Sequence, residues 1–316
     1  MLQAQILPRE DKGNMLLSEV KVETRSCPLC QRDAGNLVAS EGIFQLFRCQ
    51  CGMVYTRNPP TIERKRDHYR AMASSRSLPV SSYHNLSTQV RSLLLYAQVL
   101  QHLRDYLPRQ DEVHLVDAGC AGGLFLLAAE VLKQPGLRVR GLAFEPAEKV
   151  ATEYHTGCQA YMLEEAGELL AHWADVVTVL NVLEHVNNPD NFLETMRGIL
   201  RPKGLLVVDV PNNQVMMWKA RMLNRWPPLD IGEHINHFTP RTLDVLLGNH
   251  GLVNLMRLPG LVQGASGFGL SPSLWQYLRW WGAFFLYHLS VRRVQLFVNY
   301  TSIYQKEHLK GGGYET

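Results

Sequence analysis

At 316 residues the chain can bury one large core together with a small extra module. Its 46% hydrophobic and 19% charged content is that of a soluble globular protein, and a net charge of +3 is too small to imply a nucleic-acid partner. The opening MLQAQILPREDKGN has no apolar signal-peptide core, and no uncharged apolar run reaches the ~18 residues of a membrane span, so a cytoplasmic protein is expected.

Residues 1–24 are polar and unpatterned, as in a flexible tail. Residues 25–60 hold four of the six cysteines and end at the breaker Asn58-Pro59-Pro60. Cys27-Pro-Leu-Cys30 forms one knuckle, and Cys49-Gln-Cys51-Gly52 follows after eighteen intervening residues. Four thiolates on two turns, in a long chain with no secretion signal, point to metal before disulfides, and tetrahedral zinc fits them. Residues 61–110 form a helical segment. It starts basic and polar, then from Leu86 to Leu107 Val90, Leu93, Leu94, Ala97, Leu100 and Leu103 follow helical spacing until Pro108.

From Glu112 strands and helices alternate. The strand candidates are HLVD, RVRGLAFE, DVVTVLNVL and GLLVVDVP, with helices between them such as Phe192 to Leu200. A helix near Arg241 to Asn249, whose N-cap is Thr239 with Pro240 behind it, a strand near Leu252 to Leu258 and a last strand from Tyr300 to Lys306 complete the pattern. Such repeated units predict a parallel sheet covered on both faces. This strand–helix unit is bounded at 111–308, with a helical insertion at about 262–298 and a short tail at 309–316.

The most telling stretch is VHLVDAGCAGGLFLLAAE, Val113 to Glu130. An apolar strand ends in Asp117, a small-residue turn follows (Ala118 to Gly123), and a helix begins at Leu124, which brings backbone N–H groups close to a ligand. Gly119, Gly122 and Gly123 do not spell the G-x-G-x-x-G of a dinucleotide site. An acid directly before the turn would also repel a pyrophosphate. Asp117 suits an ammonium group, and the helix N-terminus suits a carboxylate. Glu145, 22 residues after Gly123 at the end of the next strand, is placed for two ribose hydroxyls. An amino-acid zwitterion joined to a ribose describes S-adenosylmethionine.

On these residues the chain resembles the class I S-adenosylmethionine-dependent methyltransferases. LVDAGCAGG looks like their first motif, GLAFEP the second, ADVVTVLNVLEHVNNP the segment around the fourth strand and LRPKGLLVVDVPN the lead-in to the fifth. The resemblance implies an α/β fold: a Rossmann-like seven-stranded sheet with helices on both faces. It implies that Asp117, Ala118, Gly119, Cys120 and Gly123 hold the methionine part, and that Glu145 and Pro146 border the ribose. Tyr161 to Glu165, with Leu163 and Glu164 foremost, would border the adenine, and Asn181 and Val182 would lie beside the sulfonium. Ala121 stands where the family usually has its middle glycine; its methyl group is tolerated with negative φ and would narrow the cofactor pocket slightly.

Methyl transfer is an in-line displacement, so a base is needed only for a protonated acceptor. His185, in NVLEHV, resembles the histidine at the mouth of the cofactor pocket in many small-molecule methyltransferases and is the candidate general base. His234 and His237, in GEHINHFTP, resemble an acceptor-side segment of a bacterial subgroup; with no nearby acid or cysteine read as completing a ligand set, substrate contact or a second base is expected there. The same subgroup carries an N-terminal C-x-x-C module ending in N-P, which implies a zinc-ribbon-like fold and structural zinc on Cys27, Cys30, Cys49 and Cys51, although the second knuckle is shortened to C-x-C. Tyr69, Tyr83 and His84 are candidates to line the acceptor site.

Residues 274–298 hold Trp275, Trp280, Trp281, Phe284, Phe285 and Tyr287 flanked by arginines, the pattern of a lid or dimer contact, an apolar acceptor site or a helix lying on a membrane surface. The expected acceptor is a small molecule: a sugar, a natural product or a glycolipid precursor. Two alternatives stay open, an RNA methyltransferase that uses the ribbon for RNA and a non-catalytic adaptor with the cofactor fold; the chain has no [DNS]-P-P-aromatic motif after its fourth strand and no basic stripe.

Overall fold

The computed structural model describes residues 21–65, 112–119, 137–143, 160–223, 231–259 and 299–307, with residues 67, 97, 99–103, 106, 107 and 289 besides. Strands β1 (Gly35–Glu41), β2 (Phe44–Cys49) and β3 (Val54–Thr56) form an antiparallel ribbon. The larger sheet holds β4 (Val113–Ala118), β5 (Leu137–Ala143), β6 (Ala160–Met162), β7 (Ala174–Leu180), β8 (Leu200–Pro211), β10 (Leu252–Pro259) and β11 (Asn299–Lys306). Among the described residues its strands run in the order β10-β11-β8-β7-β4-β5-β6.

β4 to β8 pair in parallel, whereas β11 lies antiparallel to both β8 and β10, so the sheet is mixed and not wholly parallel. Apolar patterning shows that a strand is buried but carries no information about its direction, and the antiparallel return was therefore invisible in the sequence. Parallel neighbours alternate their side chains between two layers. Val116, Val177 and Val208 face one core, and Leu115, Val176 and Val207 face the other. Within the long helix expected over 86–107, Val99, Leu100 and Leu103 are buried in the second core.

Between β6 and β10 four helices are described: α1 (Leu163–Leu169), α2 (Pro189–Ile199), α3 (Asn213–Leu223) and α4 (Pro240–Asn249). α2 begins where Asn188 accepts the Asn191 N–H, with Pro189 at its first position, and buries Phe192, Leu193, Met196 and Ile199. α4 starts at Thr239 as expected; Thr239 and Thr242 exchange side-chain-to-backbone hydrogen bonds at 2.9 and 3.2 Å. Among the described residues no helix is long and apolar enough to cross a membrane.

The ribbon does not stand apart. β9 (Asn236–His237) pairs with β3 and makes the ribbon a four-stranded sheet, order β1-β2-β3-β9. Cys27, Cys49, Met53 and Tyr55 are buried in the same core as Val177, Val208 and Leu243. The proline-rich stretch at 58–60 thus divides the sequence but not the hydrophobic core.

Candidate active site

The large sheet changes winding direction between β4 and β7: β5 and β6 continue outward on one side, β8 on the other. The carboxyl ends of the two strands at such a point frame a crevice in open α/β sheets. Gly119 directly follows β4 and has a φ of 79°, in the left-handed region that glycine enters without steric cost. Asp117, one pair before the end of β4, is 4% exposed and lies in register with Thr178, whose hydroxyl donates to Asp117 Oδ1 at 2.7 Å. Burial outweighs that hydrogen bond and pushes the Asp117 carboxyl up to about 7.

β7 stops at Leu180, three residues before the end of the expected DVVTVLNVL strand, because Asn181 takes a φ of 55° and turns the chain into a 3-10 turn at Leu183–His185. Asn is among the side-chain-bearing residues that tolerate this conformation best. Three residues hold it. Its N–H donates to Asp209 O at 2.9 Å, its Nδ2 to Asp209 Oδ2 at 3.2 Å, and its Oδ1 accepts from Asn299 Nδ2 at 2.9 Å. Thr301 donates to the other Asp209 oxygen at 2.8 Å. Val182, 9% exposed, precedes the 3-10 turn.

The histidine-bearing residues 231–238 are tied to that turn. Ile235 N–H donates to Glu184 O at 2.8 Å, and the buried Asn236 amide donates to Leu183 O at 3.0 Å and Val186 O at 2.7 Å. Arg25 completes the joint from the ribbon side. Its guanidinium reaches Thr56 O at 3.0 Å, Asn187 O at 3.0 Å, Ile235 O at 2.7 Å and Asn236 Oδ1 at 2.9 Å. Lys65 Nζ donates to His185 O at 2.7 Å and Asn187 Oδ1 at 2.5 Å; burial, aided by Arg25, brings its pKa down to about 7.

These ties place His185 and His234 edge to face, with ring centroids 4.7 Å apart. Glu184, 1% exposed, lies beside them, its Oε1 4.0 Å from His185 Nε2. Burial first, then the His234 ring, lowers His185 to about 3, so its imidazole is neutral at neutral pH. His237 is buried on β9 opposite Val54 and is likewise lowered to about 3 by burial.

In the ribbon, the four cysteines converge. Cys27 and Cys51 sulfurs are 3.6 Å apart, Cys30 and Cys49 sulfurs 3.5 Å apart, and all four lie within 4.8 Å of one another. Zinc–sulfur bonds of about 2.3 Å in a tetrahedron require sulfur separations of about 3.8 Å, so the set fits one tetrahedral ion. The shortened knuckle succeeds because Gly52 turns at a φ of 96° and donates its N–H to Cys49 O at 3.0 Å.

A family model described as a methyltransferase domain matches residues 89–256. The chain belongs to this methyltransferase family. It is 30% identical over 179 residues to the ubiquinone biosynthesis O-methyltransferase of Ruegeria pomeroyi, and 31% identical over 182 residues to that of Roseobacter denitrificans; each alignment covers 52% of this chain and 66% of the relative. The chain thus spans just under two thirds of the length of these curated relatives. The crystal structure of the plantazolicin methyltransferase BpumL is 15% identical at a TM-score of 0.46, covering 76% of this chain and 91% of that one.

Of the site residues expected from the sequence, Asp117, Ala118, Gly119, Asn181 and Val182 stand at the ends of β4 and β7, and Leu163 and Glu164 open α1 directly behind β6. Cys120, Ala121, Gly123, Glu145, Pro146, Tyr69, Tyr83 and His84 lie outside the described residues, as does the aromatic stretch 274–298 apart from Leu289. Sequence reasoning missed Glu184, Asp209, Asn299 and Arg25. Glu184 adjoins His185 in LEHV and was readable as a partner; Arg25, 211 residues from Asn236, carried no local signal.

Proposed function

We propose that the chain transfers a methyl group from S-adenosylmethionine to a small-molecule acceptor. The observation that carries this reading is the left-handed Gly119 turn behind the buried Asp117, at the switch point between β4 and β7, in a chain of the methyltransferase family. Bound there, S-adenosylmethionine supplies a methyl group already activated on a sulfonium. Asp117 receives the ammonium group, which restores its charge. The backbone from Ala118 through Cys120 to Gly123 takes the carboxylate, Glu145 and Pro146 the ribose, and Leu163 and Glu164 the adenine side. Asn181 and Val182 form the wall next to the reacting carbon.

In the reaction the carbon–sulfur bond breaks as the acceptor's lone pair forms the new bond, and S-adenosylhomocysteine leaves. Activation of a protonated acceptor falls to Glu184, His185 and His234, where the neutral imidazole of His185 offers a lone pair. His237, buried behind them, positions the segment. We further assign structural zinc to Cys27, Cys30, Cys49 and Cys51, supported by the spacing of their sulfurs.

Calorimetry with S-adenosylmethionine, followed by labelled methyl transfer to a panel of sugars, natural products and lipid precursors, tests the reading. Binding weakened at least about tenfold by Asp117→Asn and label appearing in one acceptor class are expected. Wild-type protein that binds no S-adenosylmethionine would overturn it. Label entering RNA instead would favour an RNA substrate.

A further inference from the structure

We propose that Glu184, His185 and His234 form a second metal site, separate from the cysteine cluster, which takes a divalent transition ion such as Zn2+ or Mn2+. The inference goes beyond methyl transfer and stands on the geometry of these three side chains. One carboxylate oxygen and two imidazole nitrogens lie within 4.8 Å of one another. Two imidazoles and one carboxylate are a donor set for zinc, manganese, iron or cobalt rather than for calcium or magnesium.

Glu184 supplies an independent reason. It is 1% exposed, and neither of its carboxylate oxygens has a hydrogen-bond partner among the described residues. A buried carboxylate left so is costly, and the imidazole 4.0 Å away is too distant to hydrogen-bond. A cation between them removes the cost. His185 is oriented for that role: its Nδ1 lies 3.0 Å from Glu233 O, so Nδ1–H donates to the carbonyl and the Nε2 lone pair faces Glu184. A ligating histidine held by a backbone carbonyl is the usual outer-shell arrangement.

The ligand-bearing segments are also fixed before any ion arrives. The Glu184 carbonyl is held by Ile235 N–H and the His185 carbonyl by Lys65. Three protein ligands leave at least one position open, as in catalytic rather than structural sites. An acceptor hydroxyl coordinated there would lose its proton more readily, so that His185 acts as ligand while the ion is bound and as base only without it.

The test is isothermal titration of the full chain, its cysteine cluster first loaded with zinc, with Zn2+ and with Mn2+. No S-adenosylmethionine or acceptor is present, so the result is independent of methyl transfer. One further ion per chain is expected, with Glu184→Gln and His234→Ala each weakening it at least about tenfold. Zinc retained on the cysteines and an unchanged far-ultraviolet spectrum would show that the variants are folded. If one variant fails to fold, the other decides. No further ion in the wild type, or equal binding by all three proteins, would overturn the proposal.

Discussion

Replacing Arg25 with methionine should loosen the ribbon from the methyltransferase sheet while leaving both cores intact. The guanidinium makes four hydrogen bonds to Thr56, Asn187, Ile235 and Asn236, and lies 5.7 Å from the Tyr55 ring centroid. A net hydrogen bond is worth about 1 kcal/mol, which gives about 4 kcal/mol in all. Arg25 is only half-buried, so water can reclaim part of this and a loss of about 2–3 kcal/mol is expected. Methionine keeps the apolar stem, which isolates the polar contribution. Urea unfolding reads the global loss, and amide exchange resolved to β3 and β9 reads the local one. Exchange at Asn236 and His237 should accelerate well before global unfolding. A loss below about 0.5 kcal/mol with unchanged exchange in β9 would refute the view that Arg25 joins the two parts.

Stripping metal from the cysteines with a strong chelator under reducing conditions should lower Tm and raise amide exchange in β3 and β9, because Cys27 and Cys49 share a core with the sheet; an unaltered Tm after proven metal loss would contradict this. Asp117 has an ordinary value of 3.8 and a folded value of about 7, so between these the folded chain holds a proton the unfolded chain has lost. Its contribution to stability therefore falls as pH rises from about 4 to 7, while S-adenosylmethionine affinity rises over the upper part of that range. Asp117→Asn should flatten both slopes, and a variant with the wild-type pH profiles would sink the assignment. Asp209→Ala should cost about 2–4 kcal/mol in urea unfolding, since it leaves Asn181, Asn299 and Thr301 without their shared acceptor; a change under about 1 kcal/mol would mean that the network is not what holds the left-handed turn.

What the sequence disclosed was mostly local. The strand into Asp117, the turn at Gly119, the capping of α4 by Thr239 and Pro240, and the final strand to Lys306 are written in consecutive residues, and each took the expected form. The missing parts depended on contacts between distant segments. The pairing of Tyr55 with Asn236 joins residues 181 apart, and a two-residue strand has no period to detect. Glu184 lies inside the local run LEHV, yet its significance comes from being buried next to a histidine 50 positions later. The end of β7 at Asn181 was masked by the apolar Val182 and Leu183, which are buried in the turn much as they would be in a strand.

The edge shared by β3 and β9 also bears on how such a protein can be re-engineered. The segment carrying His234 pairs through β9 with the ribbon, whereas Gly119 and Asn181 stand on the large sheet. Residues 25–60 and 231–238 therefore form one cassette, to be exchanged together. Grafting both segments from a homologue would replace the surroundings of His234 without altering the strands that carry Gly119 and Asn181. Grafting the ribbon alone would leave β9 facing a mismatched edge.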